Sequence, residues 1–447
     1  MPNRAFLPLL FLFGGLALPA TALADLAGGF EQEFSRFADT SQQQFSQFSE
    51  ANEKAFARDF IDQWQRFNEA LSDPLPSLPK PRLQPGLQRA KQTESSPVAG
   101  SAPSATSRHP RVSGGFYGHP LLHLTLLDLP TLPGLQPNNL LQFREQALRS
   151  DGFIELIHLL GFMRQRIHAD NYATILLARQ LCGNHFATPN SATACAWILG
   201  QSQGLDVRVG LRQGQLLLLT PSEQEWYEQP YFEVDNLRLY IVNRENYLHL
   251  QGETYLQSGR HADATGTTRI SLSSSFIPAQ RVLHTSHRFG VPLQLDEDFV
   301  AYLHQLPLLQ VRDYLNDKQP DYLLKQLQNW QELEQKRPAM DRFKSLLTHL
   351  QHWPYQIDQE QFGREKPLTL SESVFFPYTD CEDRVYALAA LNQSFIHLDM
   401  AALRYPNHLS AAVKYEGNWL EADPTYVGAS LGMRQPAYLG MDPEWLY

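Results

Sequence analysis

The sequence predicts an α+β protein in which two stretches repeat one order of elements. Residues 172–235 and 340–423 both read as helix, apolar helix, strand, strand, strand, with runs bounded by Pro, Gly, Asn and Asp. A long aromatic-striped helix comes before them, set apart by a Pro-rich stretch.

The chain opens Met-Pro-Asn-Arg and is apolar from Ala5 to Leu18, with Ala22-Leu23-Ala24 ahead of Asp25. A basic start, a short apolar run and a small-x-small site predict a secretory signal peptide over 1–24. No Cys lies near the cleavage point, which argues against a lipoprotein, and no other stretch is long and apolar enough to span a bilayer. The expected location is the periplasm. Without Arg4, 36 basic residues face 47 acidic ones, a net of −11, which disfavours nucleic acid or an anionic membrane surface as the main partner.

Residues 25–72 form the second predicted unit. Phe34, Phe45, Phe56 and Phe67 recur every 11 residues, and Phe37 and Phe48 repeat the interval. On a helix these positions make one slowly drifting stripe, amphipathic and in need of a partner surface. The helix is expected to self-associate or to dock on an envelope protein. Residues 73–113 read as a Pro-rich linker. The globular part then divides into lobes over 114–258 and 259–447.

In the second lobe, Met340–Trp353 reads as a helix, and the loop Tyr378–Arg384 leads into an apolar helix, Val385–Leu391. Strand-like runs follow at Asp399–Tyr405, Leu409–Val413 and Asn418–Asp423. The first lobe runs Tyr172–Cys182, Pro189–Leu199, Asp206–Leu211, Leu216–Leu219 and Tyr231–Asp235. Aligning Leu205-Asp206 with Leu398-Asp399 sets Gln215 opposite His408. The helix starts set Ser191 opposite Cys381, and the last strands set Asp235 opposite Asp423. The first lobe reads as a copy without Cys and His. It is expected to do no chemistry and to frame the substrate cleft or bind a partner.

Three cysteines are present, Cys182, Cys195 and Cys381. In an oxidising compartment an odd count leaves at least one thiol free. Cys182 and Cys195 could pair, or each could be a small buried apolar residue. Cys381 stands where loop becomes helix, where orphan amides and the macrodipole favour a thiolate. Glu382 and Asp383 in the first turn work against it, so a charged His is needed beside it. His408, after a Pro-Asn turn at a strand start, and Asp423, at a strand end before Pro424, supply a base and a carboxylate to orient it. The histidines show no zinc-type spacing, and there is no phosphate-binding Gly loop or Gly-x-Ser-x-Gly elbow, so no metal or cofactor is expected.

At these residues the chain resembles the bacterial transglutaminase-like superfamily. The resemblance rests on Phe376-Pro377-Tyr378-Thr379-Asp380-Cys381-Glu382-Asp383-Arg384, on Tyr405-Pro406-Asn407-His408 and on Ala422-Asp423-Pro424-Thr425-Tyr426-Val427-Gly428-Ala429. Gln361–Pro367 and Leu431-Gly432-Met433 extend it. It covers about 340–440 and is weaker over the first lobe. It implies a papain-like fold with Cys381 as nucleophile, His408 as base, Asp423 as orienting carboxylate and Tyr378 as a weaker oxyanion or pocket contact. The implied activity is acyl transfer through a thioester: hydrolysis of a peptide or amide bond, deamidation, or crosslinking of Gln to Lys. The non-enzyme alternative is an envelope scaffold with a vestigial triad.

Overall fold

A computed structural model describes residues 115–447 except 122–125, 127, 235, 245–253, 258–263, 265, 273–275, 281, 317–320 and 335. The expected signal peptide, aromatic helix and linker, and Asp235, lie outside the described residues. The fold is a mixture of helix and antiparallel sheet, as the alternating periods predict.

The first lobe begins with four helices: α1 (Pro137–Arg149), α2 (Asp151–Arg166), α3 (Asn171–His185) and α4 (Pro189–Ser202). Polar side chains mark the starts of three. Ser150, Asp170 and Thr188 accept from the backbone amides three residues on, which satisfies donors the helix itself leaves orphaned. Helix α4 is buried from Thr193 to Gln201, with Trp197 fully enclosed. A helix with so few polar positions is stable only between layers. Gly200 permits that fit, because a Cβ there would stand 2.7 Å from Cγ2 of Val207. Cys182 and Cys195 form a disulfide that ties α3 to α4.

Strands β1 (Arg208–Arg212), β2 (Gln215–Ser222), β3 (Tyr231–Val234), β4 (Leu237–Ile241) and β5 (Thr254–Leu256) make an antiparallel sheet in the order β3-β4-β2-β1-β5. Helix α4 packs on β2. A middle segment carries the hairpin β6 (Leu283–Ser286) and β7 (Leu293–Asp296) and the helices α5 (Glu297–Gln305), α6 (Val311–Leu315) and α7 (Asp321–Glu334).

The second lobe contains α8 (Ala339–Gln351), the short α9 (Asp358–Gln361) and α10 (Leu370–Phe375), and the buried α11 (Cys381–Leu391). A π-helical turn, Asn392–Ile396, extends α11. Strands β8 (Met400–Tyr405), β9 (His408–Tyr415), β10 (Asn418–Glu421) and β11 (Glu444–Leu446) form a sheet in the order β10-β9-β8-β11, with α11 packed on β9.

The two sheets share one register. Gln215 opens β2 opposite Arg212, and His408 opens β9 opposite Tyr405, each after a two-residue turn. Four residues on, Leu219 pairs with Ile241 and Ala412 with Glu421. The next amides, of Val242 and Ala422, donate to Leu218 and Ala411. The outer strands β5 and β11 pair with β1 and β8 in the same sense. What differs is β3, an extra strand at the edge of the first sheet.

This register corrects two of the expected correspondences. Asn243, two residues beyond the end of β4, stands where Asp423 stands beyond β10. Asp235 follows β3, which has no counterpart in the second sheet. The helix start shifts as well. Thr188 and Asp380 are the N-caps, so Pro189, not Ser191, is the first-turn residue matching Cys381. His408 lies 193 residues after Gln215, whereas Asp380 lies 192 after Thr188. The π turn after α11 absorbs the extra residue, as i→i+5 bulges do.

Candidate active site

Cys381 is the first residue of α11, and Asp380 caps it. Asp380 and Asp383 form a reciprocal capping box, and Asp383 also accepts from the Leu368 amide at 2.7 Å. Arg384, buried one position on, donates to the backbone carbonyls of Gln351, Trp353 and Pro424 and to Oγ1 of Thr379. One guanidinium thereby ties the start of α11 to the turn that carries Asp423.

His408 is buried at the start of β9, and its Nε2 lies 2.9 Å from Oδ2 of Asp423. A carboxylate only accepts, so Nε2 carries the proton and Nδ1 is left to take one. Asp423 is held on all sides. Its Oδ1 accepts from the amides of Thr425 and Tyr426, and its Oδ2 also accepts from Nε2 of Gln435. The Tyr438 ring lies parallel to the imidazole with centroids 5.3 Å apart. Gln351 fixes the backbone of this turn by donating to the carbonyls of Asp423 and Ala429.

The sulfur meets β9 beside the imidazole-bearing residue, since the Leu409 amide donates toward Cys381. The thiol itself donates to Oε2 of Glu382 at 3.0 Å, and no hydrogen bond joins it to His408 among the described residues. Burial, then the charges of Glu382 and Asp380, push the thiol pKa well up. The opposition of Glu382 to a thiolate, expected from its place in the first turn, is therefore direct contact. Tyr378 is half-buried, and its hydroxyl has no hydrogen-bond partner among the described residues. Burial first, then the Cys381 charge, raises the pKa of Tyr355, and Cys381 adds to the rise at buried Tyr386 as well.

Around the thiol lies a group of carboxylates. Burial, followed by neighbouring negative charge, raises Asp358 to about 8 and Asp380 to about 7, and raises Glu382 and Asp383 as well. Glu365, raised to about 8, hydrogen-bonds Glu382. Oxygen atoms of Asp358, Asp380 and Asp383, and those of Asp358, Glu365 and Glu382, lie within 4.8 Å of one another, a donor set suited to a hard cation. The expectation of no metal came from histidine spacing, which is silent about all-oxygen sites.

In the first lobe, Asn190 takes over the contact made by Cys381. Its Oδ1 accepts from the Leu216 amide at 2.8 Å, and its Nδ2 donates to the Gly214 carbonyl. Leu216 is the register counterpart of Leu409. Ser191 is bonded to the Thr188 cap. Asn243 bridges backbone, with Oδ1 accepting from Leu218 and Nδ2 donating to Leu216. No sequence signal marks Gln435, Tyr438 or Asn243, because each acquires its place only through sheet register or the return of the C-terminal segment.

No protein-family model, curated protein or solved structure matches the chain.

Proposed function

We propose that this protein is an exported cysteine-nucleophile acyl-transfer enzyme of the transglutaminase-like, papain-like kind, hydrolysing a peptide or amide bond through a thioester. The observation that carries the reading is the buried His408–Asp423 hydrogen bond beside the helix start that bears Cys381. Nδ1 of His408 takes the thiol proton once the sulfur leaves Glu382. The thiolate attacks the substrate carbonyl carbon, and Nδ1 returns the proton to the departing amine, which leaves a thioester. Water then gives its proton to Nδ1 and attacks the thioester; a carboxylic acid departs and the proton goes back to sulfur. The Leu409 amide and the first amides of α11 are the donors available to a developing oxyanion. An amine in place of water would make the same intermediate a crosslinker of Gln to Lys.

The alternative is a non-catalytic envelope scaffold, and one contact favours it: the thiol is bound to a carboxylate, which disfavours the thiolate. In either case the aromatic helix over 25–72 is assigned to self-association or docking on an envelope protein, and the location is the periplasm. Among the described residues no helix is long and apolar enough to cross a membrane.

Iodoacetamide labelling of the full chain at pH 7, read by intact mass, separates the readings. Selective labelling of Cys381 that slows at least tenfold in His408→Ala supports the enzyme. Labelling at one rate in both proteins supports the scaffold.

A further inference from the structure

The segment Pro354-Tyr355-Gln356-Ile357 runs beside the loop that carries Cys381. Tyr355 bridges Thr379 in parallel register. The Thr379 amide donates to the Pro354 carbonyl at 3.1 Å, and the Gln356 amide donates to the Thr379 carbonyl at 3.4 Å. Thr379 is two residues before Cys381. Backbone pairing therefore fixes where the side chains of this segment stand relative to the thiol.

Tyr355 and Ile357 are 49% and 44% exposed. Two residues apart on extended backbone, they project to one side, roughly 7 Å from each other. The Tyr355 ring is held in place, since Cζ of Arg384 lies 5.3 Å from its centroid. That guanidinium is itself fixed by the carbonyls of Gln351, Trp353 and Pro424. After burial, the Cys381 charge acts most strongly on the Tyr355 hydroxyl, the mark of a ring close to the sulfur.

Ile357 stands where the local fold favours a polar residue. It is the N-cap of α9, and Glu360 is the N3 residue. Ser or Thr at 357 would complete a capping box, whereas Ile supplies no cap. Its exposed side chain therefore contributes little to the helix it begins. Past the pair the surroundings turn acidic, with buried Asp358 directly after Ile357 and Glu382 in contact with the thiol.

We propose that Tyr355 and Ile357 form a subsite for a large apolar side chain of a polypeptide substrate, on a residue next to the carbonyl that reacts at Cys381. The inference rests on the proposed acyl-transfer reading and names its substrate class. A side chain of the size of Leu or Phe, seated between the ring and the Ile357 side chain, removes apolar surface of all three from water. An acidic side chain in the same place meets Asp358 and Glu382 and is disfavoured.

The test reads alkylation of Cys381 in the full chain at pH 7 by intact mass. The reagents are iodoacetamide, N-(2-phenylethyl)iodoacetamide and N-(2-carboxyethyl)iodoacetamide. Each rate is divided by the rate of the same reagent with glutathione, which removes intrinsic reactivity. The phenylethyl reagent should be favoured over iodoacetamide by about tenfold or more, and the carboxyethyl reagent disfavoured. Tyr355→Ala and Ile357→Ser should each lower the phenylethyl preference several-fold, and Tyr355→Phe should keep it. Ile357→Ser completes the cap of α9, so its melting temperature should hold or rise, and a preference lost in that variant does not come from misfolding. Equal normalised rates, a preference unmoved by Tyr355→Ala and Ile357→Ser, or a thiol closed to both neutral reagents overturns the subsite. Haloacetamides react without a thioester, so the two readings fail separately. A phenylethyl preference with no acyl adduct on Cys381 from the p-nitrophenyl ester of N-acetyl-leucine would keep the subsite and refute the acyl-transfer reading.

Discussion

Asn243 stands in the first sheet where Asp423 stands in the second, two residues beyond the strand that flanks the hairpin. The two side chains do different work. Asp423 accepts from an imidazole, whereas Asn243 clamps backbone with one acceptor and one donor. Asn243→Asp therefore removes the donor to the Leu216 carbonyl and buries a charge. It should destabilise the protein by about 3 kcal/mol, measured by urea unfolding. A change below about 0.5 kcal/mol would mean that the clamp contributes little.

Asp423→Asn should act on chemistry more than on the fold. The Oδ1 contacts to Thr425 and Tyr426 can persist, but an amide nitrogen in the Oδ2 position would face the donors of His408 and Gln435. The imidazole would lose the tautomer that leaves Nδ1 free. Turnover of a small amide should fall by about a hundredfold to ten-thousandfold, with folding intact by circular dichroism.

The central hairpin of each lobe was legible because it carries its own punctuation. Pro406-Asn407 and Gln213-Gly214 mark the two hairpins, and Asn407, Gln213 and Gly214 have the positive φ such turns use. His408 and Gln215 were matched correctly because the hairpin fixes its own register. Asn243 was hidden because β3 is inserted between the hairpin and the flanking strand, and a strand inserted at a sheet edge shifts sequence spacing without shifting spatial order. Pro189 was hidden because the polar run Pro189-Asn190-Ser191 blurs the helix start, whose first turn begins two residues before Ser191, directly after the Thr188 cap. The Glu382 contact with the thiol depends on a side-chain rotamer, which spacing does not encode.

Lys366 and Glu372 form a buried ion pair at 3.1 Å, with both side chains almost wholly enclosed. Burial alone would raise the Glu372 pKa, but Lys366, followed by His304, holds it down at about 2. Lys366→Met would leave that carboxylate uncompensated. It should cost about 3–5 kcal/mol in urea unfolding, and the double change with Glu372→Leu should recover much of the loss.

Asp358 and Asp380 give the fold a pH dependence of defined sign. Both pKa values are raised in the folded state, to about 8 and about 7, while the unfolded chain has ordinary carboxyls. Their contribution is complete below about pH 4, and it is lost as pH rises through 7 to 8. With a chelator present to remove stray cations, the melting temperature should fall between pH 6 and pH 9. Asp358→Asn should flatten that fall, and an unchanged slope in the variant would place its origin elsewhere.

If Cys381 acts as the nucleophile it carries an acyl group during turnover, and that species can be trapped. The full chain is mixed with a p-nitrophenyl ester of a short N-acetyl peptide, quenched in acid and analysed by intact mass and peptide mapping. A mass increase of one acyl group on Cys381 is expected within the first turnover, absent in Cys381→Ala and strongly slowed in His408→Ala. No adduct on Cys381, or an adduct formed equally fast without His408, would contradict it.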